Sequence, residues 1–105
     1  MIVIVTACGS AEEAERIAAA LIEERLAACA QILPMRSLFR WQGQIERAEE
    51  WQLQIKTAAV MANAVEARIK AMHGYKLPEI IALPVAAGSK DYFDWVHAET
   101  DGFAG

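Results

Sequence analysis

The chain has two cysteines and two histidines, Cys8, Cys29, His73 and His97, and with Met35, Met61 and Met72 they make up its soft or borderline metal donors. No C-x-x-C or H-x-x-x-H spacing joins them, so a four-ligand tetrahedral site is not written into one segment and would have to assemble in space, across subunits included. Met72-His73 stands at the end of a helical pattern, where a thioether beside an imidazole suits copper. The same dipeptide also reads as one core methionine and one exposed histidine, which is the commoner arrangement. Cys8 or Cys29 beside a histidine could act as a nucleophile, but a lone buried cysteine is more often a small packing residue. G-x-S-x-G, Walker, G-x-G-x-x-G and H-E-x-x-H signatures are absent. A binding protein is therefore expected rather than an enzyme.

A second polar set has the character of a ligand cleft. Glu46, Glu49 and Glu50 beside Arg47 look first like the solvated flank of a strand. Glu50 and Lys56, however, share one face of that strand, and Tyr75, Lys76 and Glu79 lie in a short loop that could approach them. The rival reading is that these charges pair across a subunit interface.

The elements that must hold these residues are legible from periodicity. Ile2-Val3-Ile4-Val5 is an unbroken β-branched run, the pattern of a central strand buried on both faces. Ser10 and Glu13 form a capping box, followed by Ala14, Ile17, Ala18, Leu21 and Ile22 at helical spacing, with Glu12 and Arg16 as an i,i+4 pair and Leu26-Ala27-Ala28-Cys29 closing the helix. From Gln31 to Thr57 the period is two: Met35, Phe39 and Trp41 on one arm, Trp51, Leu53, Ile55 and Thr57 on the other, joined at Gln42-Gly43. Pro34 marks a bulge or an edge position, since proline cannot donate to a ladder. Met61, Val65, Ile69 and Met72 make a second helical stripe that stops at Gly74. Glu79 to Val85 is a last strand, Ser89 caps a helix in which Tyr92, Trp95 and Val96 share a face, and the tail from His97 to Gly105 has no periodicity.

This order predicts a single α+β domain over residues 1–105: a ferredoxin-like βαββαβ arrangement with helices on one face of a four-stranded antiparallel sheet and a short C-terminal helix. A hairpin arm of about twelve residues would reach some 40 Å, beyond a body whose radius of gyration should be only about 13 Å. The arm and the uncovered sheet face together predict an obligate homo-oligomer, the alternative being a hairpin curled onto its own core. A net charge of -4 disfavours nucleic acid as a partner. The apolar run at Ile2 to Val5 is too short for a membrane span or signal core, and two cysteines without repeated spacing suggest free thiols in a reducing, cytoplasmic setting.

Four motifs, in order, resemble the CutA family of divalent-cation tolerance proteins: Leu26-Ala27-Ala28-Cys29; Trp41-x-Gly43-x-Ile45-Glu46 with Glu50 and Lys56-Thr57; Tyr75-x-x-Pro78-Glu79-Ile80; and Tyr92-x-x-Trp95. The resemblance implies a ferredoxin-like subunit in a homotrimer with interlocked hairpins, a link to copper and other divalent cations, and no established reaction. It also implies subunit clefts lined by Cys29, Trp41, Glu50, Lys56, Tyr75, Glu79 and Trp95. Copper-binding members carry a first-strand cysteine and a histidine pair before Pro-Tyr; here Thr6 takes the cysteine position, Met72-His73 that of the pair, and Gly74 that of the proline. The metal role passes to His73, with Cys8 and Met72 as the remaining donors, Cys8 sharing the strand parity of Thr6. The alternative function is a trimeric sensor of a small anionic metabolite, in which Lys56 and its aromatic neighbours matter more than His73.

Overall fold

Residues 1–100 are described by a computed structural model. The elements run β1 (Ile2–Cys8), α1 (Ala11–Glu23), β2 (Cys29–Trp41), β3 (Gln44–Thr57), a 3-10 turn (Ala59–Met61), α2 (Ala62–Met72), β4 (Ile81–Pro84) and α3 (Lys90–Glu99). The strands form one antiparallel sheet in the order β2-β3-β1-β4, the ferredoxin-like order expected from the alternation of periods. β1 is interior, as its β-branched run requires, and it extends past Val5 to Cys8, which pairs with Trp51. Pro34 and Pro84 both lie in edge strands, where a missing N–H leaves no partner unpaired. Pro34 stays in register with Trp51, so it marks an edge without a bulge.

The long hairpin is unbroken from Cys29↔Lys56 to Trp41↔Gln44. Gln42 (φ 50°) and Gly43 (φ 80°) both take left-handed backbone, the combination whose twist matches the flanking strands in a two-residue loop. Pleat parity sorts β3 into two faces. Leu53, Ile55 and Thr57 point into the helix-covered core with Ile4, Ile17, Leu21, Val65 and Ile69, all but closed to solvent. Burying each such aliphatic side chain contributes about 1.5–3 kcal/mol. Glu50, Gln52, Gln54 and Lys56 line the opposite, open face.

Three boundaries and one ion pair differ from expectation. Helix α1 stops at Glu23, and Cys29 opens β2 instead of closing the helix. The stop is a Schellman motif: Arg25 N–H donates to Ile22 O (3.1 Å) and Leu26 N–H to Leu21 O (2.9 Å), with Arg25 at φ 60°. Side-chain bonds from Arg25 to the Glu99 (3.2 Å) and Ala98 (2.8 Å) carbonyls hold this non-glycine residue there and cap α3. The last strand is shorter than 79–85, covering Ile81–Pro84. Helix α3 continues through His97 to Glu99, so only the part of the tail outside the described residues is left to the expectation of aperiodic chain. Finally, Glu12 and Arg16 are absent from the ion pairs of the described residues, which are Arg68–Glu24, Lys70–Glu66 and Lys90–Asp94.

Candidate functional site

Three side chains from three elements meet where β1 ends. Cys8 closes β1 on the core side, wholly buried. Ser10 caps α1 by accepting from Glu13 N–H (3.1 Å), which is one half of the expected capping box. The Glu13 carboxylate does not complete the other half. It reaches outward, Oε1 accepting from Gly9 N–H (3.3 Å) and Oε2 from Gly74 N–H (3.0 Å), and so ties the start of α1 to the loop after α2. His73 ends α2, its ring Nε2 2.8 Å from Ala7 O and its Nδ1 3.1 Å from Tyr75 N. A backbone amide only donates and a carbonyl only accepts, so Nδ1 is bare and Nε2 carries the proton.

One ligand atom from each of Cys8, Glu13 and His73 lies within 4.8 Å of the other two. Donors around a tetrahedral ion with bonds of roughly 2.0–2.3 Å stand roughly 3.5 Å apart, so donor pairs within 4.8 Å would close by about 1.3 Å at most to come into range. A thiolate, an imidazole and a carboxylate are a donor set for a borderline divalent ion. Burial, and after it the Glu13 carboxylate, push the Cys8 thiol up from near 9 to about 11, so the proton is in place at neutral pH and an ion has to displace it. Met72 is half-buried and packs against the apolar core, the commoner of its two readings. Glu13 was not visible as a donor in the sequence because a capping box accounts fully for an acidic residue three positions after a serine.

The cleft residues divide into two groups. Glu50 is 7 % exposed and accepts from the Tyr75 hydroxyl (2.9 Å), whose phenol passes beside Gly9 to reach the open face. Partial burial and the Glu50 carboxylate push that phenol up to about 12. Glu50, Tyr75, Trp41, Glu79, Phe39 and Arg36 line a cleft of about 570 Å³, the size of a small-molecule site. Cys29, Lys56 and Trp95 lie at the other end of the hairpin. Cys29 pairs with Lys56, whose ammonium bonds the Gln31 amide oxygen. Tyr92 lies against the Cys29 thiol, and its ring is 5.6 Å from that of Trp95. Burial first and Cys29 second hold the Tyr92 phenol above its ordinary range. Six residues of strand, about 20 Å, separate Glu50 from Lys56.

The model of the family described as CutA1 divalent ion tolerance protein matches residues 2–99. The chain belongs to the CutA family. It is 46 % identical over 92 residues to the divalent-cation tolerance protein CutA of Thermus thermophilus, covering 87 % of this chain and 89 % of that one. Among solved structures it is similar to the periplasmic divalent cation tolerance protein CutA of Archaeoglobus fulgidus, with TM-score 0.93 at 42 % identity over 95 % of this chain and 99 % of that one. It is also similar to a PII-like protein CutA from Nostoc sp., with TM-score 0.90 at 32 % identity over 95 % of this chain and 97 % of that one. The Thr6 Oγ1 on β1 is buried without a hydrogen-bond partner among the described residues. Two residues on and on the same face, Cys8 supplies a thiol where Glu13 and His73 converge. No helix among the described residues is long and apolar enough to cross a membrane.

Proposed function

We propose that this chain is a cytoplasmic, homotrimeric member of the CutA family that binds a divalent metal, copper among the candidates, through Cys8, Glu13 and His73, and a small ligand in clefts between subunits. It acts by binding and not by catalysis. The convergence of those three donors from β1, α1 and α2 is the observation that carries the metal reading, beside relatives named for divalent-cation tolerance. The protein would supply an unprotonated thiolate, a carboxylate already fixed by two amides, and one imidazole nitrogen. Support for the inter-subunit cleft comes from the open face, where Glu50 and Tyr75 at one end and Cys29, Lys56 and Trp95 at the other are too far apart to share a ligand within one chain. A neighbouring copy seated on that face would join one end to the other. Cys8 and Cys29 lie on opposite faces of the sheet and are free thiols, as a reducing compartment favours.

Calorimetric titration with Zn²⁺ tests the metal. Cys8→Ser and His73→Ala should each weaken binding by tenfold or more, and Met72→Leu should leave it unchanged. Equal Zn²⁺ affinity in wild type, Cys8→Ser and His73→Ala would remove the assignment. The second reading, a sensor of a small anionic metabolite, is favoured by Arg36 in the 570 Å³ cleft and by Lys56 on the same open face as Glu50. It predicts that a metabolite screen by thermal shift finds an anion whose effect disappears in Lys56→Ala while Zn²⁺ has none.

A further inference from the structure

The metal donors and the cleft are joined by one short segment, His73-Gly74-Tyr75. Gly74 N–H is held by Glu13, Tyr75 N–H by His73 Nδ1, and the Tyr75 hydroxyl by Glu50, while the rings of His73 and Tyr75 stand 5.0 Å apart. A neutral imidazole has a single lone pair in the ring plane, and here Tyr75 N–H occupies it. Only two ways exist for His73 to ligate an ion. If Nδ1 ligates, the Tyr75 amide loses its acceptor directly. If Nε2 ligates, it gives up the bond to Ala7 O and the proton moves to Nδ1, which then faces the Tyr75 amide donor to donor. Both routes cost the Tyr75 amide its partner and loosen the turn that carries the phenol to Glu50.

We propose that metal occupancy at Cys8, Glu13 and His73 and the Tyr75–Glu50 bond that shapes the cleft oppose each other, so that the ion loosens that bond and a ligand gripping the cleft with the bond in place expels the ion. The inference rests on the metal reading above. It follows from linkage: two sites that bias one segment in opposite directions weaken each other by the same factor, roughly 5–150-fold in characterised cases. The segment is suited to this role because its fastening is polar and local. Gly74, Tyr75, Lys76 and Leu77 are exposed, and their ties to the body are the side-chain bonds just named. The Tyr75 phenol also lies against Gly9, where an added Cβ would stand 3.1 Å from its hydroxyl oxygen, so the bare glycine leaves the room by which the phenol reaches Glu50.

The test uses Zn²⁺ on the full-length protein. Tyr75→Phe and Glu50→Gln remove or weaken the Tyr75–Glu50 bond without touching a metal donor. Because a hydrogen bond to a charged group no longer holds the segment, either variant should bind Zn²⁺ about tenfold more tightly than wild type. Hydrogen–deuterium exchange in peptides covering residues 73–79 should rise on adding Zn²⁺ to wild type, and should stay unchanged in Cys8→Ser. Unaltered Zn²⁺ affinity in both Tyr75→Phe and Glu50→Gln, or unaltered exchange at 73–79 in Zn²⁺-saturated wild type, overturns the coupling while the metal site stands. Zn²⁺ binding that ignores Cys8→Ser and His73→Ala overturns the metal reading and the coupling with it.

Discussion

Cys8 is the residue on which packing and chemistry compete most directly. Its side chain is part of the apolar core, yet a carboxylate lies close enough to raise its pKa further than burial does alone. The consequence for stability has a definite sign. An acid whose folded pKa lies above its unfolded value keeps its proton in the native state while the unfolded chain has lost it, so stability falls as pH rises from about 9 through about 11 and is unaffected below that window. Urea denaturation of the metal-free protein should show this decline, and Cys8→Ala should abolish its thiol-dependent part. A Cys29→Ser protein whose remaining thiolate absorbance at 240 nm develops near pH 9 would show that Cys8 lacks the perturbation. Cys8 and His73 were both readable as donors from residue type alone. Glu13 was not, because its helix-capping role is local whereas its bond to Gly74 spans 61 residues of sequence. Thr6 stands out in the sequence only through the family resemblance, and its hydroxyl, without a partner among the described residues, emerges from packing alone.

Among the elements, the hairpin was the most legible and the end of α1 the least, and both outcomes have the same origin in left-handed backbone. At the hairpin tip a glycine announces the positive φ, and strand alternation on both sides fixes the register. At the end of α1 the residue with positive φ is Arg25, a type that normally continues a helix, so Leu26 to Cys29 read as further helix. Its conformation is held by contacts with the carbonyls of Ala98 and Glu99, more than 70 residues away, which no local pattern reveals. Arg25→Ala should therefore lower stability by about 1–2 kcal/mol, because it removes two charge-assisted bonds and keeps the unfavourable φ. Arg25→Gly relieves the backbone while losing the same bonds, and should lie closer to wild type. Chemical denaturation of the two variants makes the comparison, and equal losses would mean that the backbone at Arg25 is unstrained. Strand β4 was over-read at both ends because apolar composition continues past the four residues that pair with β1.

At the scale of the whole molecule, the shape bears on whether the chain has a partner. The chain measures 44 × 27 × 20 Å, and the long axis is longer than a compact body of this size would need. The hairpin tip carries Leu38 at 63 % and Ile45 at 65 % exposure, with Phe39 and Trp41 also open and the outer edge of β2 unpaired among the described residues. An apolar, unpaired edge of this length is an aggregation hazard unless copies of the chain cover it. Leu38 separates the two cases cleanly because the lone chain hardly uses it. If a neighbour covers it, Leu38→Glu forces a carboxylate into an apolar seam in every copy of a symmetric interface; even with Arg47 opposite it in the hairpin, its desolvation costs several kcal/mol each and the assembly should dissociate. If the arm is solvent-facing, the same substitution adds one surface charge and changes stability by less than about 0.5 kcal/mol. Sedimentation velocity at micromolar concentration should thus show wild type as a trimer and Leu38→Glu as monomer, with circular dichroism reporting whether the monomer keeps its sheet. A Leu38→Glu protein that sediments with wild type would place the arm in solvent, and the open-face residues Cys29, Lys56 and Trp95 would then have no route to Glu50 and Tyr75.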